Sequence, residues 1–297
     1  MSDSLRFLVA ESEPPAAREK RRKSVGRSSG ETFIEVLQGL APDAQCTRIT
    51  PADADGEWLA ADTIAEYDGV FLSGSPLHLY EDTAETRREV AFMQTVFASG
   101  TPSFGSCAGL QVATVAAGGT VRPMQERREA GFARRLALTD DGRTHPLLAG
   151  RPAAFDAPAV HSDEVDRLPA GATLLAFNRV TAVQAVEIRH DGGVFWGVQY
   201  HPEISLGEVA AALRRQTDDL LEHRLACNEG DVEELAAQID ALHRDPGRRD
   251  LAWRLGLDEQ VTDAATRQTE LRNFIDHLVV PTREKRRASA GTPTSVA

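Results

Sequence analysis

The chain has 297 residues, 41% of them hydrophobic and 26% charged, a globular composition with room for one large domain plus an extension, or for two domains. Its 45 acidic residues outnumber 33 Lys and Arg; the resulting net charge of −12 disfavours nucleic acid and anionic membrane as partners. No apolar run approaches the ~20 residues that span a bilayer, the N-terminus lacks the basic-then-apolar pattern of a secretory signal, and Cys46, Cys107 and Cys227 are too scattered for a disulfide framework or a zinc motif, so a reducing, cytoplasmic compartment is expected.

Residues 5–10 read as a buried strand, apolar and followed by a Pro-rich break. Residues 11–31 are charged and read as a turn-rich, solvated loop carrying a cluster of basic side chains from Arg18 to Arg27, with a lid or a partner contact as the alternative. The apolar spacing of Phe33, Ile34, Leu37 and Leu40 predicts a helix over 32–40. Short strands follow at 46–50 and 69–72, the latter stopping at Ser73-Gly74-Ser75-Pro76. A helix over 86–97 leads to a strand at 102–105, and a helix over 108–117 ends at Gly118-Gly119. Strands alternating with helices imply a mostly parallel sheet covered on both faces. Between 121 and 199 the pattern changes to successive β-type runs (133–138, 159–161, 173–177, 183–188 and 194–199), read as added antiparallel strands and a return to the central sheet. A helix over 206–225 follows, then an all-helical extension over 227–282 and a basic, then Ser/Thr/Pro-rich tail over 283–297 that reads as disordered.

Three features carry chemistry. Gly105-Ser106-Cys107-Ala108-Gly109 is the cysteine version of the G-x-S-x-G nucleophile elbow. Composition alone yields roughly 0.02 such matches by chance, so the motif is informative. It places a thiol between a strand and a helix, at a helix N-terminus whose dipole favours thiolate. Second, Gln199-Tyr200-His201-Pro202-Glu203 follows an apolar run; residues two apart in extended chain face the same side, so His201 can act as base and Glu203 can orient it. Third, the turn at Gly74 and Ser75 can offer a backbone N–H to a tetrahedral oxyanion, with Ala108 as the second donor.

Cys107-Ala108-Gly109-Leu110-Gln111, Ala117-Gly118-Gly119 and Tyr200-His201-Pro202-Glu203 resemble the class I, or triad, glutamine amidotransferases, and Ser73-Gly74-Ser75-Pro76 is most similar to the GMP synthase glutaminase branch. The resemblance runs from about residue 5 to about 225, a domain over 1–226. It implies a flavodoxin-like α/β fold that hydrolyses the glutamine side-chain amide through a Cys107–His201–Glu203 triad and a glutamyl thioester, without cofactor or metal. It assigns Gln111 to substrate binding, in accord with its i+4 position from Cys107, and matches His161-Ser162-Asp163 to a further substrate-binding stretch. Amidotransferases of this kind commonly pass ammonia to a synthase partner, but the C-terminal residues are too few for an ATP-pyrophosphatase domain and contain no G-x-x-x-x-G-K-[ST] loop. The C-terminal helices are expected to pack on the domain or to form an oligomer contact. Two rival readings keep the fold: a stand-alone hydrolase of small γ-glutamyl amides, and a non-catalytic regulatory module.

Overall fold

A computed structural model of the protein describes residues 4–124 and 128–290. Its strands are β1 (Arg6–Ala10), β2 (Gln45–Ile49), β3 (Gly69–Leu72), β4 (Ser103–Ser106), β5 (Thr120–Pro123), β6 (Glu129–Leu138), β7 (Ala154–His161), β8 (Asp163–Arg167), β9 (Ala172–Phe177), β10 (Ala185–His190) and β11 (Gly193–Val198). Nine of them form one sheet in the order β2-β1-β3-β4-β11-β10-β9-β6-β7. The first five of that order run parallel and the remaining pairings are antiparallel. This is the expected mostly parallel, flavodoxin-like sheet with antiparallel additions. A separate antiparallel pair, β5 with β8, has no counterpart in the sequence reading, because Asp163-Glu164-Val165-Asp166-Arg167 carries only one apolar residue.

Side-chain alternation on the parallel strands divides the core. Phe7, Val9, Phe71 and Phe104 face Phe33 and Leu37 of the helix Ser29–Leu40, together with Leu271, Phe274 and Val279 from the C-terminal helices. Leu8, Ala10, Val70 and Leu72 face the opposite layer, built from the helices Ala84–Ser99 and Ala108–Ala116. A third cluster joins the helix Leu206–Arg215 to Val232, Ala236 and Ile239 of the helix Glu229–Arg244.

Two expectations need correction. Residues 11–31 are not a loop: the chain forms a helix Pro15–Val25 and starts the next helix at Ser29. The first helix has no apolar stripe. It begins with Pro15 in its first turn, ends at Gly26 with φ +84°, and buries Arg18, whose guanidinium bonds the Asp53 carboxylate at 2.6 and 2.8 Å. Ser28 then opens the second helix through a reciprocal capping box with Glu31. The second correction concerns the tail, where a helix Val280–Ala290 replaces the expected disorder over 283–290. Its basic residues are anchored: Arg283 pairs with Asp68 at 3.6 Å, and Arg286 donates to the carbonyls of Ala65, Tyr67 and Gly100. Residues 291–297 lie outside the described residues. Over 206–225 the helix is interrupted at Gln216, giving Leu206–Arg215 and Thr217–Glu222. Among the described residues no helix is long and apolar enough to cross a membrane.

Candidate active site

The parallel order β1-β3-β4-β11 lines up four strand exits along one edge of the sheet. They carry in turn Glu11-Ser12-Glu13, Ser73-Gly74-Ser75, Cys107, and Gln199 to Glu203. Such a C-terminal edge is where open α/β sheets build their sites.

Cys107 sits between β4 and the helix Ala108–Ala116 with φ +53° and ψ −110°, a conformation that costs a non-glycine residue energy. The surroundings enforce it. The Cys107 N–H donates to Val198 O at 2.8 Å, and the Cys107 carbonyl accepts from Gln111 N at 3.2 Å. The flanking glycines act through space: a Cβ at Gly105 would lie 2.7 Å from Gly109 C, and one at Gly109 would lie 2.7 Å from Leu72 O. Strand and helix can approach this closely only without those side chains.

His201 Nδ1 lies 2.6 Å from Glu203 Oε1, and His201 lines the same cleft as Cys107. Burial opposes a charged imidazole, but the Glu203 carboxylate first, and then the neighbouring Cys107, raise its pKa from 6.5 to about 10. The surroundings therefore favour the charged form of the ring, which has a proton to give. Glu203 is also held by Ser106, whose hydroxyl donates to Oε1 at 2.9 Å. Ser106 lies inside the elbow motif, yet its role depended on which way a buried hydroxyl turned.

Cys107, Gly74, Ser75, Gln111, His161, Ser162, Asp163, His201 and Glu203 all line one cleft of about 470 Å³. Ala108 is the first residue of the helix behind the thiol. Gln111 turns its amide N–H₂ to Asp163 O at 3.1 Å and to Gln199 Oε1 at 3.3 Å. His161 reaches the Asp163 carbonyl with Nδ1 (2.9 Å) and the buried Glu129 with Nε2 (2.8 Å). Ser162 Oγ donates to Asp163 Oδ1 at 3.3 Å, and Asp163 Oδ2 meets His78 Nδ1 at 2.7 Å. Apart from Ala108, the residues singled out by the motifs therefore share this cleft, joined by His78 and Glu129, which no motif marks. More of its lining comes from the helix Pro15–Val25 through Ala17, Lys20 and Arg21, with Arg21 bonded to Glu208 at 2.9 Å. The charged composition of 11–31 does not show that this stretch is a helix. Among the described residues there is no cluster of metal-ligating side chains.

A family model described as glutamine amidotransferase class-I matches residues 38–218. The chain belongs to this family. A γ-glutamyl-L-1-hydroxyisopropylamide hydrolase from a Pseudomonas species is 36% identical over 289 residues, 96% of each chain. The glutamine-hydrolysing GMP synthase of Thermomicrobium roseum is 32% identical over 187 residues, 63% of this chain and 32% of that one; the chain spans about a third of such synthases. As a fold likeness, a glutamine amidotransferase structure from Thermotoga maritima superimposes with a TM-score of 0.64 at 15% identity, covering 94% of this chain and 99% of that one. The class-I amidotransferase assignment and the amide hydrolase chemistry that goes with it agree with the resemblance read from the motifs.

Proposed function

We propose that this class-I family member hydrolyses γ-glutamyl amides of small amines through Cys107, His201 and Glu203. The observation that carries the reading is the convergence of the Cys107 thiol and the hydrogen-bonded His201–Glu203 pair on one cleft. In the mechanism, the Cys107 thiolate attacks the γ-carbonyl carbon. The oxyanion is received by the N–H of Ala108 and of Gly74 or Ser75. His201 gives its proton to the departing nitrogen, the C–N bond breaks, and a glutamyl thioester remains. His201 then takes a proton from water, which attacks the thioester and releases glutamate and the thiolate. Glu203 keeps the imidazole in the required tautomer. Gln111, His161, Ser162 and Asp163 hold the glutamyl part.

The preference for an amide larger than glutamine is supported by the likeness to the hydroxyisopropylamide hydrolase, which extends through the helix Pro15–Val25 and the C-terminal helices beyond the family model. A cleft of about 470 Å³ lies in the range that holds whole small-molecule ligands. A second reading, glutamine as substrate with ammonia passed to a synthase partner, is supported by the GMP synthase similarity. One assay separates the two: the purified chain is given glutamine and a panel of γ-glutamyl alkylamides and hydroxyalkylamides, and released amine or ammonia is measured. Amine release is expected to exceed ammonia release, and Cys107→Ala is expected to abolish both. Turnover retained in Cys107→Ala removes the mechanism.

A further inference from the structure

We propose that Ser12, anchored on Glu89, fixes the loop Ser73-Gly74-Ser75, so that Ser12, Ser73 and Glu89 are positioning residues for oxyanion stabilisation. The inference rests on the thiol mechanism above and on the assignment of Gly74 and Ser75 as donors. Beyond the end of β3, Ser73 N still donates to Ala10 O at 3.0 Å, the last rung toward β1. Past that rung the two strand exits are joined by serines. Ser12 N donates to Ser73 Oγ at 3.1 Å, and Ser75 Oγ donates to Ser12 O at 2.8 Å. Ser12 thus grips the loop on both sides of Gly74, once as donor and once as acceptor. Its own hydroxyl is spent on Glu89 Oε2 at 2.8 Å.

This arrangement points away from substrate. None of Ser12, Ser73 and Glu89 lines the cleft, and all three are essentially buried, at 1%, 0% and 0% exposure. Ser75 keeps its hydroxyl turned to Ser12 O and accepts from Leu77 N at 3.1 Å, so its side chain is engaged and the backbone conformation of the loop is set. On the other side, Gly74 packs so closely against His201 that a Cβ would lie 2.8 Å from Cε1. A loop that drifts toward the ring collides with it, and one that drifts away carries its N–H groups out of reach. Oxyanion donors act only when their distance to the developing charge is right, so the clamp contributes in the transition state and not in the resting site.

The test compares wild type, Cys107→Ala, Ser73→Ala, Glu89→Leu and Glu89→Gln on γ-glutamyl-p-nitroanilide, alongside the rate of Cys107 alkylation by iodoacetamide, which needs the thiolate but no oxyanion donor. Ser73→Ala and Glu89→Leu should lower kcat by about tenfold to a hundredfold with KM within about twofold and alkylation unchanged. Glu89→Gln, which still offers an acceptor to Ser12, should restore kcat to within about threefold of wild type. Unchanged kcat in Ser73→Ala and Glu89→Leu overturns the inference. So does a rise in KM alone, and so does a fall shared by kcat and alkylation, which marks general distortion. If Cys107→Ala turns over the anilide at the wild-type rate, the thiol mechanism itself fails; if that variant is dead and the other substitutions are harmless, only the clamp fails.

Discussion

Ser106 donates its hydroxyl hydrogen to Glu203 Oε1 at 2.9 Å, the same oxygen that His201 Nδ1 meets at 2.6 Å. The residue before Cys107 therefore steadies the carboxylate that holds the His201 ring, and strand β4 is tied to the segment after β11 through side chains as well as backbone. Removing the hydroxyl leaves the Glu203 carboxylate with one donor fewer in a buried setting, a loss of about 1–2 kcal/mol. Ser106→Ala should lower kcat/KM by roughly fivefold to thirtyfold, the same energy expressed as a rate. Steady-state kinetics with an unfolding curve check this, and an unchanged kcat/KM would show that His201 holds Glu203 unaided.

The charge state of His201 sets a pH dependence. Its folded pKa of about 10 lies above the ordinary 6.5, so its contribution to stability is complete below pH 6.5 and is lost as pH rises through about 10. The same proton is the one proposed to leave with the amine, so kcat/KM should decline through that upper range. Glu203→Gln removes a negative charge beside the ring, and the alkaline limb should then move toward neutrality by about one unit or more. A limb that stays in place in Glu203→Gln would mean that Glu203 does not support the imidazolium.

Two glycine substitutions should separate activity from stability. The nearest atoms to a Cβ at Gly74 belong to the His201 ring, with Cε1 at 2.8 Å. Gly74→Ala is expected to push the imidazole off line and cost about a hundredfold in kcat, with less than about 1 kcal/mol of stability lost. A Cβ at Gly109 meets the Leu72 carbonyl oxygen at 2.7 Å, in the backbone of a central strand that cannot yield. Gly109→Ala should cost about 1–3 kcal/mol, read as a lower denaturant midpoint. Equal losses of stability in the two variants would contradict this division.

The parts of the site that were legible in the sequence are those whose chemistry and local geometry coincide. Cys107 announces itself through paired glycines, and His201 and Glu203 through a proline between them on an extended segment. The sheet was legible because β1, β3 and β11 are apolar runs, and because β4 leads straight into the Gly105-to-Gly109 elbow. What stayed hidden depends on distant partners. The helix Pro15–Val25 has no apolar face to detect; it is held by Arg18 on Asp53 and Arg21 on Glu208, residues 35 and 187 positions away. The basic helix Val280–Ala290 is fixed in the same manner, by Arg286 on backbone carbonyls near Tyr67 and Gly100. Glu11, Glu89, Glu129 and Glu270 are charged by type and buried in fact, and composition assigns such residues to the surface.

Glu270 provides the last test, because it ties the C-terminal helices to the segment that carries His201. Its carboxylate receives Arg151 through two bonds of 2.7 Å and the Tyr200 hydroxyl at 2.8 Å, with the Arg151 and Glu270 side chains only 1% and 0% exposed. Burial, and then the neighbouring Glu270 charge, push the Tyr200 phenol well above its ordinary range, so it remains a neutral donor. Glu270→Gln leaves a guanidinium buried without a counter-charge, which costs about 3–5 kcal/mol. Arg151→Met combined with Glu270→Gln removes both charges and should recover much of that loss, a coupling that a double-mutant cycle of unfolding free energies measures. Because Tyr200 adjoins His201, the single variant should also lose activity while the double variant regains part of it. Additive single effects, or a cost below about 1 kcal/mol for Glu270→Gln, would show that the pair contributes little and that the C-terminal helices are held by the packing of Leu271, Phe274 and Val279 and by contacts such as those of Asn273 and Arg286.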